Sequence, residues 1–274
     1  MSELALLGRD ALSAIAALCE RAVAHPPTID ELDATLFTPE QPAVVRGDPS
    51  VGVVATATCD DGAHVRLLAV DPTARGQGHG HALAEAAERD ARDAGHRTIL
   101  TGADAPYFLW PGIPATEVGL VCLFEHRHYS RHEINFDMRV PLDSIPEDPG
   151  GHALATEADR DELDEWTATH WLNWRAETLR ALDKGNLVIV RGVDGIQAIC
   201  AFEVNRVGFL GPVAARPDLM GKGRARPALL GALHELRRRG RTHTDVCWVG
   251  PVIPYAEVGG RVSNVYFVYR RDLR

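Results

Sequence analysis

Two short glycine-rich turns carry the residues of this chain best suited to holding a ligand. The first is Arg75-Gly76-Gln77-Gly78-His79-Gly80, which stands between an apolar stretch and an alanine-rich helical pattern. The first amide groups of a helix lack partners within the helix and carry partial positive charge, so such a turn can hold phosphate oxygens. Glycine lets a ligand approach the backbone, and Arg75 could add charge-assisted contacts.

The second turn repeats the first in the same register, followed by a second amphipathic helix. The repeated positions, without a gap, are Pro72 and Pro217, Gly76 and Gly221, Gly78 and Gly223, and Gly95 and Gly240. A tight turn that uses glycine only for its geometry is the alternative, and the repetition argues against it. Neither the nucleotide loop G-x-x-x-x-G-K-[ST] nor the dinucleotide fingerprint G-x-G-x-x-G fits these turns. We infer an internal duplication of one α+β unit.

The elements that must position these turns follow the same order in both halves. In the first half, the patterns predict helices at 9–24, 28–37, 80–94 and 119–126, and strands at 43–46, 51–58, 64–70, 98–101 and 134–140. In the second half, they predict helices at 158–167, 169–182 and 225–239, and strands at 187–191, 197–204, 207–215, 242–248 and 262–269. The proline-rich and glycine-rich stretch 141–151 predicts a linker. We therefore expect domains at 1–142 and 150–274.

The overall composition excludes several classes of protein. The net charge of −9 over 274 residues argues against a nucleic-acid binder and against docking on an anionic membrane. The five cysteines are scattered and mostly lie in apolar runs, which predicts buried thiols in a reducing cytoplasm. No secretory signal and no membrane-spanning run stand out. The chain is expected to be cytoplasmic, as a monomer or homodimer.

The strand end and glycine turn together resemble a known family. V-x-P followed by R/Q-x-x-G-x-G/A is similar to the acyl-CoA pyrophosphate loop of the GNAT N-acetyltransferase superfamily. The first copy reads V-D-P-T-A-R-G-Q-G-H-G, and the second reads A-R-P-D-L-M-G-K-G-R-A, with Met220 where the family has Arg or Gln. The resemblance covers essentially the whole chain and implies two tandem GNAT-like domains. Each would be an α+β domain with a mixed, mainly antiparallel sheet flanked by helices.

The resemblance implies acetyl-CoA as cosubstrate and no metal. The cofactor-binding positions that it implies are Leu68, Val70, Arg75, Gly76, Gln77, Gly78, His79 and Gly80 in the first half, and Gly221, Gly223, Arg224 and Ala225 in the second. Three histidines, His126, His128 and His132, are the candidate metal ligands in the sequence. Their spacing does not aim the side chains at one point, which argues against a metal site there.

The resemblance also implies two catalytic positions. His64 takes the place of a frequent general base in the first half, where the second half has Phe209. Tyr255 takes the place of the tyrosine that protonates the leaving thiolate, where the first half has Phe124. The halves are therefore complementary. Either half could catalyse, or one half could only bind cofactor; the motifs favour the first half for the cofactor and the second for the chemistry.

The function implied by the resemblance is acetyl transfer to a primary amine of a small molecule, by direct attack on the thioester. The negative charge would favour cationic acceptors. A cluster of aromatic side chains in the second half could line an acceptor site, although packing is the commoner reason for such a cluster. Its members are Trp166, His170, Trp171 and Trp174. A catalytically silent acyl-CoA-binding protein is the alternative function.

Overall fold

The computed structural model describes residues 4–273 and divides into two compact units. Unit 1 comprises Met1–Asn135 together with Val265–Arg274, and unit 2 comprises Phe136–Asn264. The expected boundaries, 1–142 and 150–274, follow the two halves of the sequence. The compact units differ from them because the last strand of each half is divided between the two units.

Unit 1 contains the elements of the first half in the predicted order. They are α1 (Leu12–Ala22), α2 (Ile29–Leu36), β1 (Val44–Asp48), β2 (Gly52–Cys59), β3 (Gly62–Val70), α3 (His79–Asp93), β4 (Thr98–Thr101), β5 (Ile113–Pro114), α4 (Val118–His126) and the start of β6 (Ser130–Pro141). A capping box begins α2. The Glu31 N–H donates to the Thr28 hydroxyl at 3.2 Å, and the Thr28 N–H donates to the Glu31 carboxylate at 2.7 Å.

Unit 2 repeats this order. Its elements are β7 (Ala153–Leu154), α5 (Arg160–His170), α6 (Arg175–Asp183), β8 (Leu187–Gly192), β9 (Gly195–Phe202), β10 (Phe209–Ala215), α7 (Ala225–Arg238), β11 (His243–Val246), α8 (Ile253–Ala256) and the start of β12 (Arg261–Asp272). The second helix predicted for this half begins later than 169, because a 3-10 turn at Leu172–Trp174 separates α5 from α6.

Each unit is built on a mixed, mainly antiparallel sheet, as predicted. In unit 1, β1, β2 and β3 pair antiparallel, and β4 runs parallel to β3. The end of β12 then pairs antiparallel with β4, joining Arg270 to Leu100. In unit 2, β7, β8, β9 and β10 pair antiparallel, and β11 runs parallel to β10. The end of β6 pairs antiparallel with β11, joining Val140 to Thr244.

Helices cover both faces of each sheet because the strands are apolar on both faces. In unit 1, α3 contributes Leu83 and Ala87 to one core, and α1 and α2 contribute Ile15 and Leu32 to the other. In unit 2, α7 packs on one face while α5 and α6 pack on the other. The predicted linker begins at Pro141, the last residue of β6, and contains no helix or strand after it, but its Leu142 is fully buried in the core of unit 2.

The cysteines differ in their burial. Cys19 and Cys200 are buried as predicted, Cys59 and Cys247 are half-buried, and Cys122 is exposed. Within residues 4–273, no helix has both the length and the apolar character that crossing a bilayer requires.

Candidate functional site

The first glycine turn of unit 1 is fixed at its start by Asp71. One oxygen of this carboxylate accepts the Thr73 N–H at 3.0 Å and the Thr73 hydroxyl at 2.7 Å. Its other oxygen accepts Arg21 Nε of α1 at 2.8 Å. The hydrogen bonds from Thr73 and Arg21 lower the pKa of Asp71 to about 2. The carboxylate therefore stays charged at neutral pH and ties the end of β3 to α1.

The turn itself is open above its glycines. Gly76 and Gly78 have φ of +75° and +89°, and a Cβ built on either would meet nothing within 4 Å. Gly78 is the N-cap of α3, and no side chain caps the helix there. The first amides of this fifteen-residue helix are thus free of a side-chain acceptor beneath an open surface. The geometry suits an anion such as a pyrophosphate.

The other residues predicted around this turn differ in their contacts. Arg75 turns back, with Nη2 2.9 Å from the Ala22 carbonyl and Nε 3.3 Å from the Val70 carbonyl. The Gln77 amide donates to the Thr73 carbonyl at 3.2 Å. A Cβ on Gly80 would lie 3.3 Å from the Leu123 side chain, so this glycine allows α4 to approach α3. His79 is half-buried in the first turn of α3.

The parallel strands β3 and β4 separate just before the turn. Their pairing ends at Val65 and Thr101, although β3 continues to Val70. The Asp71 N–H donates to Val51 on the β2 side, so by alternation the backbone groups of Leu68 and Val70 face away from β2. A bulge between Val65 and Leu67 produces this phase. Both predicted strand positions therefore face the side on which β4 has ended.

The second glycine turn has the same backbone form. Gly221 and Gly223 have φ of +72° and +73°, and a Cβ built on either would meet nothing within 4 Å. Arg224 is the N-cap of α7, which begins at Ala225 without a side-chain cap. The side chain of Met220 is exposed and offers no charge where the first turn has Arg75. The two turns therefore share their backbone conformation, but their side chains differ in chemistry.

The open strand edge in unit 2 is already occupied by a side chain. The strands β10 and β11 separate after Leu210 and Val246, as in unit 1. By the same alternation, Ala215 faces away from β9. Its carbonyl accepts the indole N–H of Trp171 at 3.0 Å, and the Trp171 ring stacks on Trp174 at 4.7 Å between centroids. The sequence did not predict this contact, because residue spacing cannot show which carbonyl an indole reaches.

His64 is enclosed in unit 1. Its side chain is 1 % exposed, Nδ1 lies 2.8 Å from the Gly102 carbonyl, and Nε2 lies 3.1 Å from Asp61 Oδ1. A general base must reach its substrate or a water molecule. Both ring nitrogens are engaged within the chain, and this weighs against His64 as the base.

Tyr255 is buried in α8 within the core of unit 2, on the same side of the sheet as Cys200 and α7. Burial raises the pKa of its hydroxyl, so this group stays protonated at neutral pH and could donate a proton. In unit 1, Phe124 is equally buried in α4 and has no hydroxyl to donate. Both units therefore have a buried aromatic ring at this position, and only the ring of unit 2 has a hydroxyl group.

Glu177 is a buried carboxyl group in unit 2 that the sequence did not single out. It lies in α6, where its Oε1 accepts the Asn205 amide at 3.1 Å. Burial raises its pKa to about 7. An acid with a raised pKa in the folded state stabilises the protein below its ordinary pKa, and this contribution is lost as pH rises through the folded value.

We therefore expect Glu177→Gln to remove part of the pH dependence of stability. The wild type should lose up to about 3 kcal/mol of unfolding free energy between pH 4.5 and pH 8, whereas the variant, which keeps the acceptor for Asn205, should lose less. Urea unfolding at both pH values measures this. The exposed Glu165 provides the control, Glu165→Gln, which should follow the wild type. Equal slopes for wild type and Glu177→Gln would contradict the prediction.

The resemblance drawn from the turns is confirmed by comparison with known proteins. Residues 11–106 match the family model described as the acetyltransferase (GNAT) family. This match lies in the part of the chain that contains α1, α2, the first glycine turn and α3. No curated protein matches the chain.

Several solved structures share the fold over 99 % of this chain. One is the GCN5-related glucosamine N-acetyltransferase region of a fungal multi-domain GH3 β-N-acetylglucosaminidase, with a TM-score of 0.77 and 19 % identity; this chain covers 38 % of it. A GCN5-related N-acetyltransferase from Sphaerobacter thermophilus has a TM-score of 0.72 and 19 % identity, with 96 % covered. A tandem GNAT protein from the clavulanic acid biosynthesis pathway has a TM-score of 0.73 and 15 % identity, and this chain covers 98 % of it. At these identities, the likeness shows the fold.

Proposed function

We propose that this chain, a tandem protein of the GNAT fold, transfers an acetyl group from acetyl-CoA to a primary amine of a small molecule. The GNAT match supports acyl transfer as the class of reaction. One observation carries the proposal for this chain: the uncapped start of α3 lies beneath an open Gly76–Gly78 turn, at the end of a strand whose pairing with β4 has stopped. A pyrophosphate and an extended acyl arm would need these two features side by side.

We assign the acetyl-CoA site to unit 1. Leu68 and Val70 face the open side there, and the Val70 carbonyl accepts a long contact from the exposed Arg75. In unit 2, the equivalent carbonyl, that of Ala215, is bound by the indole of Trp171. Acetyl-CoA would have to displace a stacked tryptophan in unit 2 but only a surface arginine in unit 1.

The chemistry is direct attack within one complex. The amine nitrogen bonds to the thioester carbonyl carbon, the C–S bond breaks, and the electron pair leaves with the CoA sulfur. The ammonium proton then passes to solvent and the thiolate takes up a proton. Because His64 is enclosed, we propose that water rather than this side chain accepts the proton in unit 1. Holding both reactants in line would supply most of the rate enhancement.

The experiment that tests the function is release of free CoA from acetyl-CoA in the presence of a panel of cationic small-molecule amines. Free CoA and acetylated amine should be followed by mass spectrometry, because the exposed Cys122 would react with thiol-detecting dyes. Formation of both products at equal rates supports a transferase. Saturable binding of acetyl-CoA without any product would instead support the alternative function, a silent acyl-CoA-binding protein.

Tyr255 discriminates between the two units as the seat of the chemistry. With the reaction in unit 1, Tyr255→Phe should leave kcat within about twofold of the wild type, because the ring keeps its packing and only the hydroxyl is lost. A role as the thiolate donor in unit 2 would instead lower kcat by about 10²-fold or more. Steady-state kinetics at saturating acetyl-CoA measure this, and a loss of that size would move the chemistry to unit 2.

A further inference from the structure

Three side chains with metal-binding atoms converge at the hairpin that joins β2 to β3. Cys59 ends β2, Asp61 lies in the turn, and His64 follows in β3. Their potential ligand atoms, the Cys59 sulfur, an Asp61 carboxylate oxygen and a ring nitrogen of His64, all lie within 4.8 Å of one another. This group is separate from the Gly76–Gly78 turn and takes no part in the proposed reaction.

The hydrogen bonding of His64 points to a cation in this place. Its Nδ1 lies 2.8 Å from the Gly102 carbonyl, which can only accept, so Nδ1 carries a proton. In a neutral ring, Nε2 then presents a lone pair, and it faces Asp61 Oδ1 at 3.1 Å. Two acceptors at that distance repel each other unless a proton or a metal ion lies between them. A backbone carbonyl on the far nitrogen is also the usual partner of a metal-binding histidine.

The surroundings of Cys59 fit the same interpretation. The Gln41 side-chain amide donates to the Cys59 sulfur and also reaches the Thr58 carbonyl at 3.3 Å. A donor aimed at sulfur stabilises a thiolate, but burial raises the pKa of the Cys59 thiol, so a metal ion would have to displace the thiol proton. Asp61 is 68 % exposed, so an ion can enter from solvent on that side, whereas His64 closes the other side.

We propose that Cys59, Asp61 and His64 form a three-ligand site for a transition-metal ion of the Zn²⁺ type. Cysteine, imidazole and carboxylate are the ligands that this ion takes, and a tetrahedral ion would place them roughly 3.3–3.6 Å apart. The nitrogen and oxygen, 3.1 Å apart, are already close to that separation, and the three ligand atoms all lie within 4.8 Å of one another. Binding replaces the thiol proton, which is released to solvent, and water fills the fourth position on the exposed side.

A bound metal ion would cross-link the two strands of the β2–β3 hairpin. It joins the last residue of β2 to a buried residue of β3 across a turn that otherwise depends on backbone pairing. Because the three ligand atoms converge in the folded hairpin, the metal should bind the folded chain more tightly than the unfolded one, and stability should rise with the metal concentration.

The test is titration of the metal-free full chain with Co²⁺, followed by absorption, and with Zn²⁺ against a chromophoric chelator. We expect one ion per chain, with a thiolate-to-cobalt charge-transfer band that Zn²⁺ abolishes. Cys59→Ser should remove the band, and Asp61→Asn at the exposed position should weaken affinity at least tenfold. The control is Cys122→Ser, which removes an exposed thiol elsewhere in unit 1 and should change nothing.

Two results would overturn the proposal. One is the absence of the charge-transfer band in the wild type, which would mean that no ion binds through a thiolate. The other is a band that survives Cys59→Ser, which would place the ion elsewhere. Since neither readout uses acetyl-CoA, a failure here is distinct from a failure of the transferase assignment.

Discussion

Gly78→Glu should abolish acetyl-CoA binding while leaving the protein folded. Gly78 has φ of +89° and forms the N-cap of α3, where the pyrophosphate would lie. A glutamate there fills the open space and places negative charge where the ligand's phosphates would sit. The positive φ adds about 1–2 kcal/mol of strain. We expect affinity to fall by more than about 100-fold, which corresponds to roughly 3 kcal/mol.

The duplication supplies the matched control for this variant. Gly223 has φ of +73° and is equally open, so Gly223→Glu carries the same strain and charge into unit 2. Calorimetric titration with acetyl-CoA should give one site per chain in the wild type and in Gly223→Glu, and none in Gly78→Glu. Two sites in the wild type would contradict our assignment of the cofactor to unit 1 alone. Loss of binding in Gly223→Glu but not in Gly78→Glu would reverse it.

Arg66→Ala should be among the most destabilising single substitutions in unit 1. The Arg66 and Asp104 side chains are fully buried and form an ion pair through Arg66 Nε. The same guanidinium donates to the carbonyls of Thr35, in α2, and Gln41. Removing it leaves a buried carboxylate without a counter-charge and two carbonyls without this donor. The expected loss is about 3–5 kcal/mol of unfolding free energy.

Two controls separate burial from charge. Arg175 pairs with Asp164 at the surface, where both side chains are more than one third exposed, so Arg175→Ala should cost less than about 1 kcal/mol. The double variant Arg66→Met with Asp104→Leu removes both charges and should recover much of the loss. Urea unfolding of all three measures this. A loss in Arg66→Ala as small as that in Arg175→Ala would contradict the prediction.

Much of the fold could be predicted because its signals are local. The capping box of Thr28 and Glu31, the apolar strands and the glycines that end α3 and α7 each depend on neighbours in sequence. Gly95 and Gly240 have φ of +85° and +83°, the left-handed conformation that closes a helix. The domain boundaries depend on pairing over long distances. No local pattern shows that the end of β12 lies beside β4.

The features of the candidate site also differ in whether they depend on neighbouring or on distant residues. The glycine turn follows from spacing, since backbone geometry near a turn is set by the residues within it, whereas the strand positions Leu68 and Val70 came from the family resemblance. The enclosure of His64 and the contact of Trp171 with Ala215 depend on side chains from distant segments. The spacing of Cys59, Asp61 and His64 is too irregular to mark a metal site. Only the bulged hairpin brings their ligand atoms together.

The division of the final strands has a consequence for biosynthesis. In unit 1, Thr98–Thr101 obtains its antiparallel partner from Arg270–Asp272, at the far end of the chain. While the chain is being synthesised, β4 must wait for those residues to leave the ribosome, with its edge open to unwanted pairing. Closing so long a loop is slow. A fragment ending at residue 142 would lack that strand permanently, so cutting the chain at its sequence midpoint should yield aggregates rather than an independent domain.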